Sequence, residues 1–250
     1  MLESFKRLFA KPGHDRDFSP ISDWAQRRGY GFKRVRDQDG FVIDGAFDNR
    51  PWRIEWGPPQ REYIEGHELR LRMELDLPSD MQMLLLSRPL MDALERLTFE
   101  EFTDDVQTQI GTKTPEEMRW LVMFPKVNLS TLKSLRLRFG AVASVPASGL
   151  AWIDGTLAER LEAASIDLLR DEPPFVLMTL RGRTYLRMQL ESPQPQALAA
   201  ALALFETAVA QALRAASGAT DSGVDWPATG ATTAWQSYEP DPPAVPPKPR

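Results

Sequence analysis

Glu68-Leu69-Arg70-Leu71-Arg72-Met73-Glu74-Leu75-Asp76-Leu77 puts an apolar side chain at every odd position and a charged one at every even position. A period of two sustained over this length marks a strand with one face buried and the other wet. Upstream, Trp52, Ile54 and Trp56 alternate with Arg53 and Glu55, and Phe41-Val42-Ile43-Asp44-Gly45-Ala46-Phe47 runs into the turn formers Asp48-Asn49-Arg50-Pro51. Gly40 to Leu77 therefore reads as an antiparallel meander, interrupted by a loop at Gly57-Pro58-Pro59, and its apolar face needs helices to cover it.

Helical patterns flank the meander on both sides. Ser19-Pro20 reads as an N-cap and first-turn proline, Gly29 as a C-cap, and Ile21, Trp24, Ala25 and Arg28 share one face between them. Tyr30 to Arg36 leads out as a strand with Phe32 turned inward and Val35 a second candidate for the inward face. Beyond Pro78-Ser79-Asp80, Met81 to Leu86 fits a strand pairing back on the first, and a helix follows from Pro89 with Leu90, Leu94 and Leu97 on its core side. Thr98 with Glu101 resembles a capping box that opens a second short helix through Phe99, Phe102 and Val106. Thr114-Pro115-Glu116-Glu117 opens another from Met118, which Pro125 ends.

Residues 126–150 are ambiguous. Leu132, Leu135 and Phe139 fit a helix, whereas Leu135, Leu137 and Phe139 between Arg136 and Arg138 fit a strand; the helical reading as far as Phe139 is preferred. Leu150 to Ala164 is again helical. Phe175 to Leu180 and Arg183 to Leu190 form a hairpin around Gly182. Pro195 to Ala216 is a long alanine-rich helix with Leu198, Leu202, Phe205, Val209 and Leu213 as its main stripe. The last 34 residues hold seven of the 21 prolines and are expected to be disordered.

The expected fold class is α+β: an antiparallel meander covered by helices, then a helical segment, a β-hairpin and a long C-terminal helix. A basic amphipathic arm over residues 1–18 precedes a body over 19–216, either single or divided into packed subdomains 19–110 and 111–216, and residues 217–250 form a Pro-rich tail. Leu71-Arg72-Met73-Glu74-Leu75 and Leu186-Arg187-Met188-Gln189-Leu190 share four of five residues. Both a duplicated strand-strand-helix unit and coincidence account for that.

Composition narrows the chemistry. The 250 residues are 42% hydrophobic and 26% charged, ordinary for a globular chain, and contain no cysteine. Disulfides, thiolate nucleophiles and cysteine-bearing metal sites are thereby excluded. The only histidines are His14 and His67. The N-terminus lacks the apolar core and small-residue cleavage site of a signal peptide, so a cytoplasmic location is expected. A net charge of -5 and a pI near 5.3 argue against general nucleic-acid binding, but residues 1–36 hold nine basic against four acidic side chains.

Few motifs suggest a reaction. Glu100, Glu101, Asp104 and Asp105 gather on one side of a helix, which reads better as a solvated face than as a cation site. Ser130-Thr131-Leu132-Lys133 matches the short Ser-x-x-Lys pattern of penicillin-recognising hydrolases, without its companion motifs, and Ser130 reads better as a helix cap. His67 lies at the start of a strand, after Glu62 and Glu65, with neither nucleophile nor metal partner in evidence. Gly29-Tyr30-Gly31 is no phosphate loop, and no cofactor is expected.

The chain is thus expected to be a non-enzymatic interaction protein: an adaptor, assembly factor or chaperone-like docking module with a protein partner. Trp226, Trp235 and Tyr238 in the tail, and Lys6, Arg7 and Lys11 in the arm, are its candidate contacts. A carboxylate-dependent hydrolase or small-ligand binder using Glu62, Glu65, His67 and Glu100 is the alternative. A second alternative is a peripheral membrane protein with weak surface contact through residues 1–11, where Leu2, Phe5, Leu8 and Phe9 recur at helical spacing; packing of that helix on the body accounts for the same pattern.

Overall fold

The computed structural model describes residues 16–35, 39–103 and 115–223. The expectations placed on Lys6, Arg7, Lys11, His14, Asp104, Asp105, Trp226, Trp235 and Tyr238, and on the side chains of Glu100 and Glu101, lie outside the described residues. The fold is α+β, as the patterning implies. In chain order its elements are α1 (Ser19–Arg27), β1 (Gly31–Val35), β2 (Gly40–Phe47), β3 (Arg50–Gly57), β4 (Glu68–Glu74), β5 (Met83–Ser87), α2 (Arg88–Thr103), α3 (Glu116–Met123), α4 (Leu135–Arg138), β6 (Phe139–Ala143), α5 (Pro146–Ile153), α6 (Thr156–Ala164), β7 (Phe175–Leu180), β8 (Arg183–Gln189) and α7 (Pro195–Asp221). One eight-stranded sheet, entirely antiparallel, has the order β1-β2-β3-β4-β8-β7-β5-β6.

Local chemistry accounts for the joints. Gly29 ends α1 in the left-handed region, φ 72, with its N–H on the Gln26 carbonyl and the Tyr30 N–H on the Ala25 carbonyl, the paired bonds of a Schellman cap. Ser19, expected to cap α1, instead lies within its first turn, where its N–H and hydroxyl both donate to Asp17. The β2–β3 turn places Asp48 and Asn49 at φ 50 and 60, and the β7–β8 turn places Arg181 and Gly182 at φ 51 and 75. Two consecutive positive φ values match the right-handed twist of a hairpin, and asparagine-glycine suits them best. Arg181→Asn, which gives up only a 4.0 Å contact with Glu116, is therefore expected to stabilise the fold by roughly 0.5 kcal/mol, read as a higher urea midpoint at unchanged slope.

The alternation in β4 does what its period requires. Leu69, Leu71 and Met73 are buried on one face with Trp52, Ile54 and Trp56 of β3 and Leu186 and Met188 of β8, and Leu75 and Leu77 stay buried although the strand ends at Glu74. α1, α5, α6 and α7 cover this face along the sheet, and four of the five stripe residues of α7 are in its core: Leu198, Leu202, Phe205 and Val209. α7 has the length and composition to cross a membrane, but its apolar side packs on α5, α6 and the sheet. A second, smaller core lies on the opposite face, where Leu84, Leu86, Val142, Val176 and Met178 of β5, β6 and β7 meet α2 and α3. The β5–β6–β7 half of the sheet is thus covered on both faces, and the β1–β4 half on one.

Several expectations are corrected. β5 pairs with β6 and β7, far from the meander's first strand. The helix expected up to Phe139 is only the single turn α4, after which Phe139–Ala143 is a strand. α2 is one helix through Thr98, whose hydroxyl donates to the Leu94 carbonyl at 2.7 Å instead of capping a new helix. Ser130 caps nothing: its N–H donates to the Asn128 side-chain oxygen at 2.9 Å in a turn well before α4. The stretch 150–164 is broken at Asp154-Gly155, with Gly155 at φ 72. α7 runs to Asp221, into the stretch assigned to the tail. The two similar segments are neighbours, Leu71 opposite Leu186 in the β4–β8 pair, yet β4 is followed by another strand and β8 by a helix.

Candidate functional site

On the open face of the β1–β4 half the even-numbered residues of β4 stand beside their cross-strand partners. Arg53 bonds Asp44 through two nitrogens at 2.7 and 3.3 Å, and Arg70 meets Glu55 at 3.3 Å. Arg70 and Arg187 oppose one another on β4 and β8, a repulsive pairing were Glu68 not set between them. Its two carboxylate oxygens accept from Arg187 at 2.6 Å and from Arg70 at 3.1 Å, and the Gln60 N–H adds a bond of 2.7 Å.

Glu68 is fully buried because the chain after Gly57-Pro58-Pro59 folds back over it. The Ile64 N–H turns onto the Arg61 carbonyl and the Ile64 side chain is buried, which carries Arg61 and Tyr63 toward α3. There Arg61 Nε donates to Glu117 Oε1 at 2.6 Å and the Tyr63 hydroxyl donates to the same oxygen. Glu117 is 0% exposed, and its Oε2, like the Nε of Arg187, is buried without a partner.

These neighbours decide the protonation states. Burial alone would raise the Glu117 carboxyl, but the charge and hydrogen bond of Arg61, with the Tyr63 bond, hold it below the ordinary range. Burial, then the Glu117 charge, push the Tyr63 phenol far up. Burial disfavours the Arg61 cation, yet Glu117 more than restores it. Near neutral pH the cluster is a fixed carboxylate, phenol and guanidinium, which suits an electrostatic clamp holding the 58–66 loop and α3 to the sheet better than proton transfer.

Among the described residues no ion pair or hydrogen bond joins Glu62 or Glu65 to His67. Glu62 and Glu65 are exposed. His67 lies at another junction, its ring stacked on Trp56 at 4.4 Å and 3°, its nitrogens 3.4 Å from Asp39 and from Glu191. Arg16 closes that junction from the other end of the chain, 3.2 Å from Asp39, 2.7 Å from the Glu191 carbonyl and 5.0 Å from the Trp56 ring centre. Among the described residues no group of three or more His, Asp or Glu side chains is placed to hold a metal ion, and no hydrogen bond joins Ser130 to Lys133. Glu68 and Glu117, which organise the buried cluster, were missed as site residues: one is an ordinary member of an alternating strand, the other an ordinary first-turn acid.

No family model and no curated protein matches this chain. Among solved structures it is similar to the crystal structure of the mycobacterial trehalose monomycolate transport factor A, TtfA. The TM-score is 0.46 and the identity 7%, over 78% of this chain and 93% of that one. A likeness at that level carries no argument about function.

Proposed function

We propose that this protein is a non-catalytic interaction module that docks a partner protein on the uncovered face of its sheet. The observation that supports this reading is the asymmetry of the cover: helices close both faces over β5, β6 and β7, while among the described residues one face of β1 to β4 carries no helix and is covered only at its Glu68 end, by the 58–66 loop. By register Lys33, Arg53, Arg70, Arg72, Arg183 and Arg187 stand on that face against Asp44, Glu55, Glu68 and Glu74, with Glu68 and its partners Arg70 and Arg187 largely buried at the end under the 58–66 loop, so it carries a small basic surplus on a chain of net charge -5. An acidic partner surface complements it. Val122 and Met123 of α3, 52% and 56% exposed, add apolar area on the adjoining helix. In this reading the aromatics of the tail and the cations of the arm supply further short contacts.

Lys33 is exposed and Arg72 keeps 55% of its side chain in solvent with one 3.8 Å contact to Glu55, so reversing both leaves the fold intact. Capture from native extract with the full chain and with Lys33→Glu/Arg72→Glu is the test. The expected result is a partner whose recovery falls by about fivefold to thirtyfold with the double variant, since two reversed charges forfeit about 1–2 kcal/mol even at a solvated rim. A partner recovered equally by both forms, or none at all, removes the docking face from consideration.

A further inference from the structure

α2, the 126–130 loop and α4 enclose an open groove of 370 Å³ over the start of β6. Three cations line it, Arg88, Lys126 and Arg136, together with Asn128, Ser130 and Leu137, the last 72% exposed. Arg88 belongs to its floor. One terminal nitrogen donates to the carbonyls of Arg136 at 3.0 Å and Phe139 at 2.7 Å, which fixes the guanidinium, while the other has only the Met91 thioether at 3.9 Å. Beneath it is Gly140. A Cβ there would stand 2.0 Å from the Met91 sulfur and 3.1 Å from that second nitrogen, so the strand carries no side chain at the place where one would crowd the floor.

The charges around the groove do not balance. Lys126 pairs with Glu95 at 2.8 Å; no acid pairs with Arg136 among the described residues. Asn128 commits its side-chain oxygen to the Ser130 N–H, which leaves its amide hydrogens as donors. Three cations against one carboxylate amount to a surplus near that of a phosphomonoester, which carries about -1.5 to -2 near neutral pH, and guanidinium with ammonium is the donor set phosphate takes. We propose that this groove binds a phosphomonoester carried on an apolar moiety, with Arg88, Lys126 and Arg136 on the phosphate oxygens and Met91 and Leu137 against the apolar part.

A soluble phosphorylated compound and the headgroup of phosphatidic acid share this chemistry, and two probes separate them. The full chain is titrated with phenyl phosphate by calorimetry, and floated with phosphatidylcholine vesicles with and without phosphatidic acid. Lys126→Ala/Arg136→Ala alters two exposed side chains, and its thermal melt establishes that it is folded; Arg136→Glu alone is the second variant. The expected result is binding of phenyl phosphate, of the phosphatidic acid vesicles, or of both, weakened at least about tenfold by either variant. Phenyl phosphate binding assigns a soluble ligand, and vesicle binding alone assigns the lipid. Binding of neither probe overturns the proposal, and so does binding that the variants leave undiminished, which would place vesicle contact in the basic stretch containing Lys6, Arg7 and Lys11.

Discussion

Glu117→Ala is expected to cost about 3–5 kcal/mol of stability, because it leaves the Arg61 guanidinium and the Tyr63 hydroxyl of the clamp without the carboxylate they share. The loss is one of compensation, so removing both charges together should do less harm than removing one. Arg61→Met/Glu117→Leu fills the space with apolar atoms but still leaves the Tyr63 hydroxyl without its acceptor, so it is expected to cost about 1–3 kcal/mol, and adding Tyr63→Phe is expected to bring the protein within about 1 kcal/mol of the natural one. Urea titrations of the single, double and triple variants check this, and a single-variant cost below about 1 kcal/mol would mean the clamp is solvated. The pH dependence follows from the depressed carboxyl. With the folded value below the unfolded value of about 4.5, the stabilisation is fully present above pH 4.5 and is lost as pH falls through the folded value. Glu117→Gln lacks that contribution, so the gap between it and the natural protein should be widest near neutral pH and close in acid. Amide exchange in α3 should quicken with the same variant, because the clamp is what ties that helix to the far half of the sheet.

The half of the fold that faces water on one side was legible, and the half buried on both sides was not. Leu69, Leu71 and Met73 alternate with Arg70, Arg72 and Glu74 because β4 has a wet face, and period two records that difference directly. β6 has none: Phe139 to Ala143 is buried at every position, so its apolar run carries no period and reads equally as the end of a helix. The hairpins were found from their turns, but sheet order was not, since β5 reaches β7 and β6 across long connections that leave no local trace. The missed cluster has a similar cause. What buries Glu68 is the fold-back of residues 58–66, and a glutamate among charges on a strand has the same neighbours in sequence whether or not a loop covers it. Thr98 shows the converse, a cap signal inside a helix, because a threonine satisfied by the Leu94 carbonyl needs no helix start.

Trp152→Ala is expected to cost about 3–5 kcal/mol, the range for emptying a fully buried aromatic site, for a reason that lies in how α7 is held. Trp152 is 0% exposed in the main core and its indole N–H donates to the Ala208 carbonyl at 2.9 Å, tying α5 to the middle of α7. Close by, Arg214 donates to the Ala151 carbonyl at 2.7 Å from an exposed position. Three variants separate packing from hydrogen bonding. Trp152→Phe keeps most of the apolar area, loses the bond and should cost about 1–2 kcal/mol; Arg214→Ala, at the surface, should cost less than about 1 kcal/mol. Denaturant midpoints in that order identify burial as the main term. If Trp152→Phe proved as damaging as Trp152→Ala, the bond to Ala208 would carry the joint and the volume would matter little. The order also bears on cooperativity, since the core stripe of α7 covers the face lined by Leu71 and Leu186. A cavity under Trp152 should therefore speed amide exchange in α7 and in β4 and β8 together, whereas loss of the Arg214 bond should quicken only the last turns of the helix.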